Sequence, residues 1–326
     1  MPPSTTLARR RDERADQRVE RLSGLSLKRL VEPDEAVTGH VGETQIIPTE
    51  LLSIAGLGIE LTAEQLTRLA REELASIAMV GVRFECALMA GFSLDILRRD
   101  LCDPRVTYIL HEMGEETRHS RLFIRLIEQL APTADNPFDR FDWLVRRVVR
   151  RVIAHPALFC VLVLTGEEIP DLLQKLVGEH PDTDPFVRAV SRYHRQEEAR
   201  HLSFGRLLLP ELWEAAPRAE RLFIRYGAPL LVTSLFDTMV NPGVYASVGL
   251  PAWSTWRAVK ATPVRQALRH EALRPLVAAM LDAKALTVGR IPRAWRRAAG
   301  IDRQGVAIGA PLVDATPAGT EGRAPR

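Results

Sequence analysis

The chain has few of the features that mark several protein classes. Its three cysteines, Cys86, Cys102 and Cys160, are odd in number, widely spaced and without a CxxC pair, which excludes a disulfide framework and fits a reducing cytoplasm. No uninterrupted apolar run reaches about 18 residues, so a membrane span is not expected. Arg9-Arg10-Arg11 lacks the apolar segment that a secretory leader requires. Neither charge dominates: 44 Lys and Arg against 41 Asp and Glu leave a formal +3, which does not point to nucleic acid. The alternation of a half-buried strand is nearly missing as well.

What remains is an apolar fraction of 46% and a charged fraction of 26%, ordinary for a folded chain. Residues 1 to 60 combine a basic start with scattered Gly and Pro, and read as an arm, partly disordered, lying on the domain. From residue 61 to about 300 the apolar residues recur at helical spacing, so the fold is all-α. Residues 301–326, rich in Gly, Pro and Ala, read as a disordered tail.

Capping residues set the expected helices. Thr62, followed by Glu64 and Gln65, starts a helix reaching about Leu101; Asp103-Pro104 starts its antiparallel neighbour, reaching about Leu130. Arg140 to Arg151 reads as an amphipathic helix whose basic face is solvated or receives an acidic partner. Pro156 opens a further helix to about Val177, and Asp184-Pro185 starts one passing His201 to about Leu209. Segments near 218–240, 253–271 and 273–299 are also helical.

Two ExxH triplets lie within these hairpins, Glu116 to His119 and Glu198 to His201. Such a triplet is common by chance, so its surroundings carry more weight. Thirty-one positions before each triplet stands another Glu, Glu85 and Glu167. A shift of 82 residues therefore superimposes one half on the other and pairs Glu115 with Glu197 and Arg118 with Arg200. Two hairpins of this kind make a four-helix bundle.

A Glu and a His one turn apart share a helix face and can grip one ion. Glu85 lies on the apolar stripe Leu74, Ala78, Val82, Met89, Phe92 and Ile96, where an unpaired carboxylate is costly without a cation or a proton. Together the halves supply four Glu and two His, a donor set that suits iron or manganese better than zinc or calcium. Arg118 and Arg200 offer a competing reading, in which the acids are consumed by buried ion pairs. His194 adds a third imidazole on the face of Glu198 and His201; its partner under the 82-residue shift is Glu112. Glu115 and Glu197 could orient the imidazoles, and Pro170 predicts a kink beside Glu167.

With these words in place, His194-x3-Glu198-x2-His201 together with Glu85, Glu116, His119 and Glu167, the chain resembles the p-aminobenzoate N-oxygenase family of dinuclear iron enzymes. The resemblance implies a ferritin-like bundle with additional helices after it, holding two iron ions and using O2 as co-substrate. It makes Glu116 and Glu198 bridging ligands, Glu85 and His119 ligands of one iron, and Glu167, His194 and His201 ligands of the other. The implied substrate is an arylamine, with an external reductase as electron donor and a homodimer as the assembly. Two other readings stay open: hydroxylation or desaturation of a carrier-bound acyl chain, and metal storage without oxygenation.

Overall fold

A computed structural model describes residues 4–28 and 30–309; it is 73% helical, and no strand occurs among the described residues. Before the bundle come α1 (Ser4–Lys28) and the short α2 (Pro33–Ala36). The bundle consists of α3 (Ala63–Ile96), α4 (Pro104–Leu130), α6 (Pro156–Glu179) and α7 (Pro185–Ala215), with α5 (Asp142–Ile153) between the hairpins. After it follow α8 (Arg218–Tyr226), α9 (Ala228–Thr238), α10 (Pro242–Ala246), α11 (Ala252–Ala261), α12 (Pro263–Asp282) and α13 (Arg293–Ala299). This is the all-α, ferritin-like arrangement the pattern predicts, with extra helices behind it.

The caps act as read. Thr62 accepts from Gln65 N while Gln65 Oε1 accepts from Thr62 N at 2.9 Å, closing a capping box at the start of α3. Asp103 and Asp184 accept backbone N–H groups at the starts of α4 and α7, each with Pro at the next position. Because the loops between partners are short, α3 lies on α4 and α6 on α7; α3 then meets α6 and α4 meets α7 to close the bundle.

Several expectations are revised. The N-terminal segment contains a long helix, which packs on α4 and α7 through buried Val19 and an ion pair from Asp16 to Arg105 at 2.8 Å. Its apolar residues are too sparse for a sustained period to show in the sequence. Residues 253–299 break at Thr262-Pro263, where Thr262 caps α12, and not near residue 272; Pro275 is carried inside that helix. Residues 301–309 carry a bridge between Ile301 and Ala307, and the rest of the expected tail lies outside the described residues.

Helix α3 is rich in apolar residues although they form no long uninterrupted run. By length and composition alone it could cross a membrane, with mean hydropathy 1.6 over its most apolar window. Leu74, Ile77, Val80, Gly81 and Phe84 line an interior cavity shared with α6 and α7. Helix α5 keeps its basic face in solvent, with Trp143 60% exposed beside it.

Close approach of α3 and α6 is what brings Glu85 and Glu167 into one interior. It depends on Gly166, where a Cβ would stand 2.0 Å from the Phe84 ring, and these two positions are themselves related by the 82-residue shift. Gly166→Ala should therefore lower stability by about 1–3 kcal/mol in urea unfolding, because the ring has to move within a packed core. Native stability in that variant would contradict the tight crossing.

Candidate metal centre

Each bundle helix sends acids inward. Helix α3 supplies Glu85, α4 supplies Glu112, Glu115, Glu116 and His119, α6 supplies Glu167, and α7 supplies His194, Glu197, Glu198 and His201. None of these ten is more than 4% exposed. All seven residues predicted from the sequence as ligands therefore reach the interior of the bundle.

Two imidazoles frame the middle. His119 Nδ1 lies 3.3 Å from Glu116 Oε2 and 3.3 Å from Glu198 Oε1. His201 Nδ1 lies 3.0 Å from Glu116 Oε1 and 3.1 Å from Glu198 Oε2. Glu116 and Glu198 thus each turn one oxygen to each ring, the placement needed to span two ions.

The far nitrogens of the rings are held by acids of the opposite hairpin. His119 Nε2 is 2.9 Å from Glu197 Oε2, and His201 Nε2 is 2.7 Å from Glu115 Oε2. A neutral ring donating from Nε2 presents its Nδ1 lone pair to the centre. Arg200 donates to Glu115 at 2.8 Å and Arg118 to Glu197 at 3.3 Å, so the arginines bind these orienting acids and leave the central ones free. The competing reading of the arginines therefore applies to Glu115 and Glu197 alone.

His194 takes a different side from the one the resemblance implies. Its Nε2 lies 3.3 Å from Glu198 Oε1 and 3.6 Å from Glu85 Oε1, while Nδ1 stands 2.9 Å from Gln174 Oε1. Donor atoms of Glu85, His119 and His194 come within 4.8 Å of one another, so the third imidazole groups with Glu85 and His119 and not with Glu167 and His201. The reason is helical geometry: four residues before Glu198 on α7 is the turn that faces the α3 and α4 side. Glu85 is fixed further by Ser120 Oγ, which donates to Oε2 at 2.5 Å.

One residue was missed. Glu112 is buried beside Glu116 and His201, and its donor atom belongs to a second compact group with theirs. Burial, reinforced by Glu116, Glu198 and Glu115 against the pull of His201, pushes its carboxyl up to about 8. The signal was present: Glu112 occupies the position that the 82-residue shift pairs with His194. Phe92 and Phe159 face a small cavity of about 40 Å³ on the His201 side, and Tyr108 packs on Phe204, all away from the main cavity.

Electrostatics sets the demand for cations. Burial pushes Glu85 and Glu167 up, and Glu198 and Glu116 raise Glu167 further. Burial would lower His119 and His201, but the surrounding carboxylates outweigh it and hold both imidazoles well above their ordinary range. Glu85 Oε1, Glu112 Oε2, Glu116 Oε1, Glu167 Oε1 and Glu198 Oε1 accept no hydrogen bond, although His nitrogens stand near some of them without bonding geometry. Buried acceptors are normally satisfied, so five converging orphans fit metal ions. Carboxylates with a few imidazoles match iron or manganese.

The fold and this donor set define a helical carboxylate bundle of the dinuclear type. A family model described as P-aminobenzoate N-oxygenase AurF matches residues 12–284, and the chain belongs to that family. Uncharacterized proteins of Mycobacterium bovis and Mycobacterium tuberculosis are 30% identical over 169 residues, 52% of this chain and 50% of theirs. The chain thus matches half the length of these relatives.

If Glu115 and Glu197 orient the rings, Glu115→Gln and Glu197→Gln should each weaken iron binding about 10–100-fold while helical circular dichroism persists. Unchanged affinity in both variants would mean that the imidazoles are positioned by something else.

Proposed function

We propose that the chain is a dinuclear iron oxygenase that N-oxygenates an amine, in the first instance an arylamine. The observation that carries this reading is the junction of the acid cluster with a largely apolar cavity of about 510 Å³, whose wall includes Glu85, Glu167 and His194. The volume suits a small organic molecule, and the wall is dry enough to strengthen every polar interaction within it.

Glu85, Glu116, His119, Glu167, His194, Glu198 and His201 are the proposed ligands, with Glu116 and Glu198 shared and Glu112 a further candidate beside His201. Two irons, when bound, would supply the activation of O2 that no side chain can perform. The chain's own residues hold the site in register. Gln174 fixes the ring of His194, Glu115 and Glu197 fix the other two, and Ser120 fixes Glu85. Phe84, Phe123 and the aliphatic residues of α3 and α6 keep water from the reacting end.

For the first oxidation the balance is one amine, one O2, two electrons and two protons giving one hydroxylamine and one water; further oxidation leads to nitroso and nitro. The electrons come from an external reductase. The aliphatic wall favours one competing reading, hydroxylation of a carbon chain. Iron-loaded protein supplied with reductant and heavy-isotope O2 should convert members of an arylamine panel to labelled hydroxylamine, nitroso or nitro products. Labelled alcohols from acyl chains, with every amine untouched, would replace N-oxygenation by carbon hydroxylation.

A further inference from the structure

The cavity that reaches the acid cluster also reaches a buried positive charge. Arg265, in the first turn of α12, lines the same cavity and is only 8% exposed. Its Nη2 donates one long bond of 3.4 Å to the carbonyl of Phe236, and the guanidinium lies 4.2 Å from that residue's ring centroid. Among the described residues no carboxylate oxygen comes within 4.0 Å of it.

The acids within electrostatic reach, Asp237 and Glu73, have other partners, and one oxygen of Asp237, Oδ1, accepts no hydrogen bond. Asp237 pairs with Lys260 at 2.9 Å and lies 3.8 Å from Arg269. Glu73 accepts from the backbone N of Ser53 at 3.0 Å and from its hydroxyl at 2.5 Å, and burial raises its carboxyl above the usual range. Three cations, Arg265, Lys260 and Arg269, therefore share two acids. A buried charge without its own counter-ion is costly, and one on a cavity wall is a receptor awaiting an anion.

Distance gives the ligand its shape. Glu73, which shares the cavity wall with Arg265, and Glu85 are twelve residues apart on α3, about 18 Å along the helix. Between them the wall is Leu74, Ile77, Ala78 and Gly81. A single aminobenzoate ring is far too short to touch both ends.

We propose that the natural substrate is an elongated amphiphile, with a carboxylate on Arg265, an apolar body along α3 and the oxidisable amine at the end formed by Glu85, Glu167 and His194. The identity of the reacting end rests on the oxygenase reading; the anionic head and apolar body rest on the cavity alone.

Calorimetric titration of the metal-free full-length protein and of the iron-loaded protein tests this with dodecanoate, dodecanol and hexanoate. Dodecanoate should bind at least about 30-fold more tightly than dodecanol, because only the acid satisfies the buried guanidinium. Arg265→Met should abolish that preference, Arg265→Lys should keep part of it, and hexanoate should bind more weakly than dodecanoate because it leaves the wall uncovered. Equal binding of dodecanoate and dodecanol by the native protein, or a preference that survives Arg265→Met, would overturn the head subsite. Equal binding of hexanoate and dodecanoate would overturn the long body. Should Arg265→Met fail to fold in a thermal scan, the native preference and the Lys variant decide. Amine turnover is scored separately with omega-aminododecanoate: Arg265-dependent binding without oxidation overturns the placing of the amine at the Glu85 end and leaves the head subsite standing, while the arylamine panel alone decides the oxygenase reading.

Discussion

Seven carboxyl groups, from Glu85, Glu112, Glu115, Glu116, Glu167, Glu197 and Glu198, are buried between four helices, where among the described residues they meet two arginines, Arg118 and Arg200, and the imidazoles of His119, His194 and His201. An excess of this kind is not tolerated in a dry interior unless cations or protons offset it. The arginines are spent on Glu115 and Glu197, the acids that aim the imidazoles. The central carboxylates are left with buried oxygens that accept no hydrogen bond. Much of the architecture serves that demand: caps that fix helix starts, a glycine that lets α3 and α6 cross, and a pseudo-two-fold pairing of hairpins.

The same helices that gather the acids also leave space beside them. Helix α3 is apolar enough to resemble a membrane helix, yet a row of its apolar residues faces a cavity and so is neither fully buried nor in contact with solvent at large. The C-terminal helices give that cavity its far end. They pack on α6 into a second core around Trp295 and Leu276, and they bring Arg265 to the cavity wall. The proposed metal ligands and the proposed head subsite thus come from different parts of the chain.

Much of the bundle was legible because its signals are local or periodic. Asp103-Pro104, Asp184-Pro185 and Thr62 mark helix starts by their own chemistry, and the 31-residue interval returns each lone Glu opposite its ExxH. Glu115 and Glu197, which the 82-residue shift pairs, are read from the sequence as able to orient the imidazoles, and they do contact both the arginines and the rings. What stayed hidden depends on how helices rotate and cross. His194 falls on the Glu85 side because of the turn it occupies, and Glu112 is absent from the expected ligands although the 82-residue shift matches its position to that of His194. Arg265 lies 192 positions after Glu73, and no spacing rule connects a residue opening a late helix to a cavity lined by an early one.

The central claim is that this interior holds a pair of metal ions. Anaerobic iron titration followed by Mössbauer spectroscopy of the oxidised protein tests it directly. Two tightly bound irons per chain, antiferromagnetically coupled through shared carboxylates and lost together in the Glu116→Ala, Glu198→Ala double variant, are expected. A single uncoupled iron, or two irons that persist in that variant, would contradict a dinuclear centre at this site.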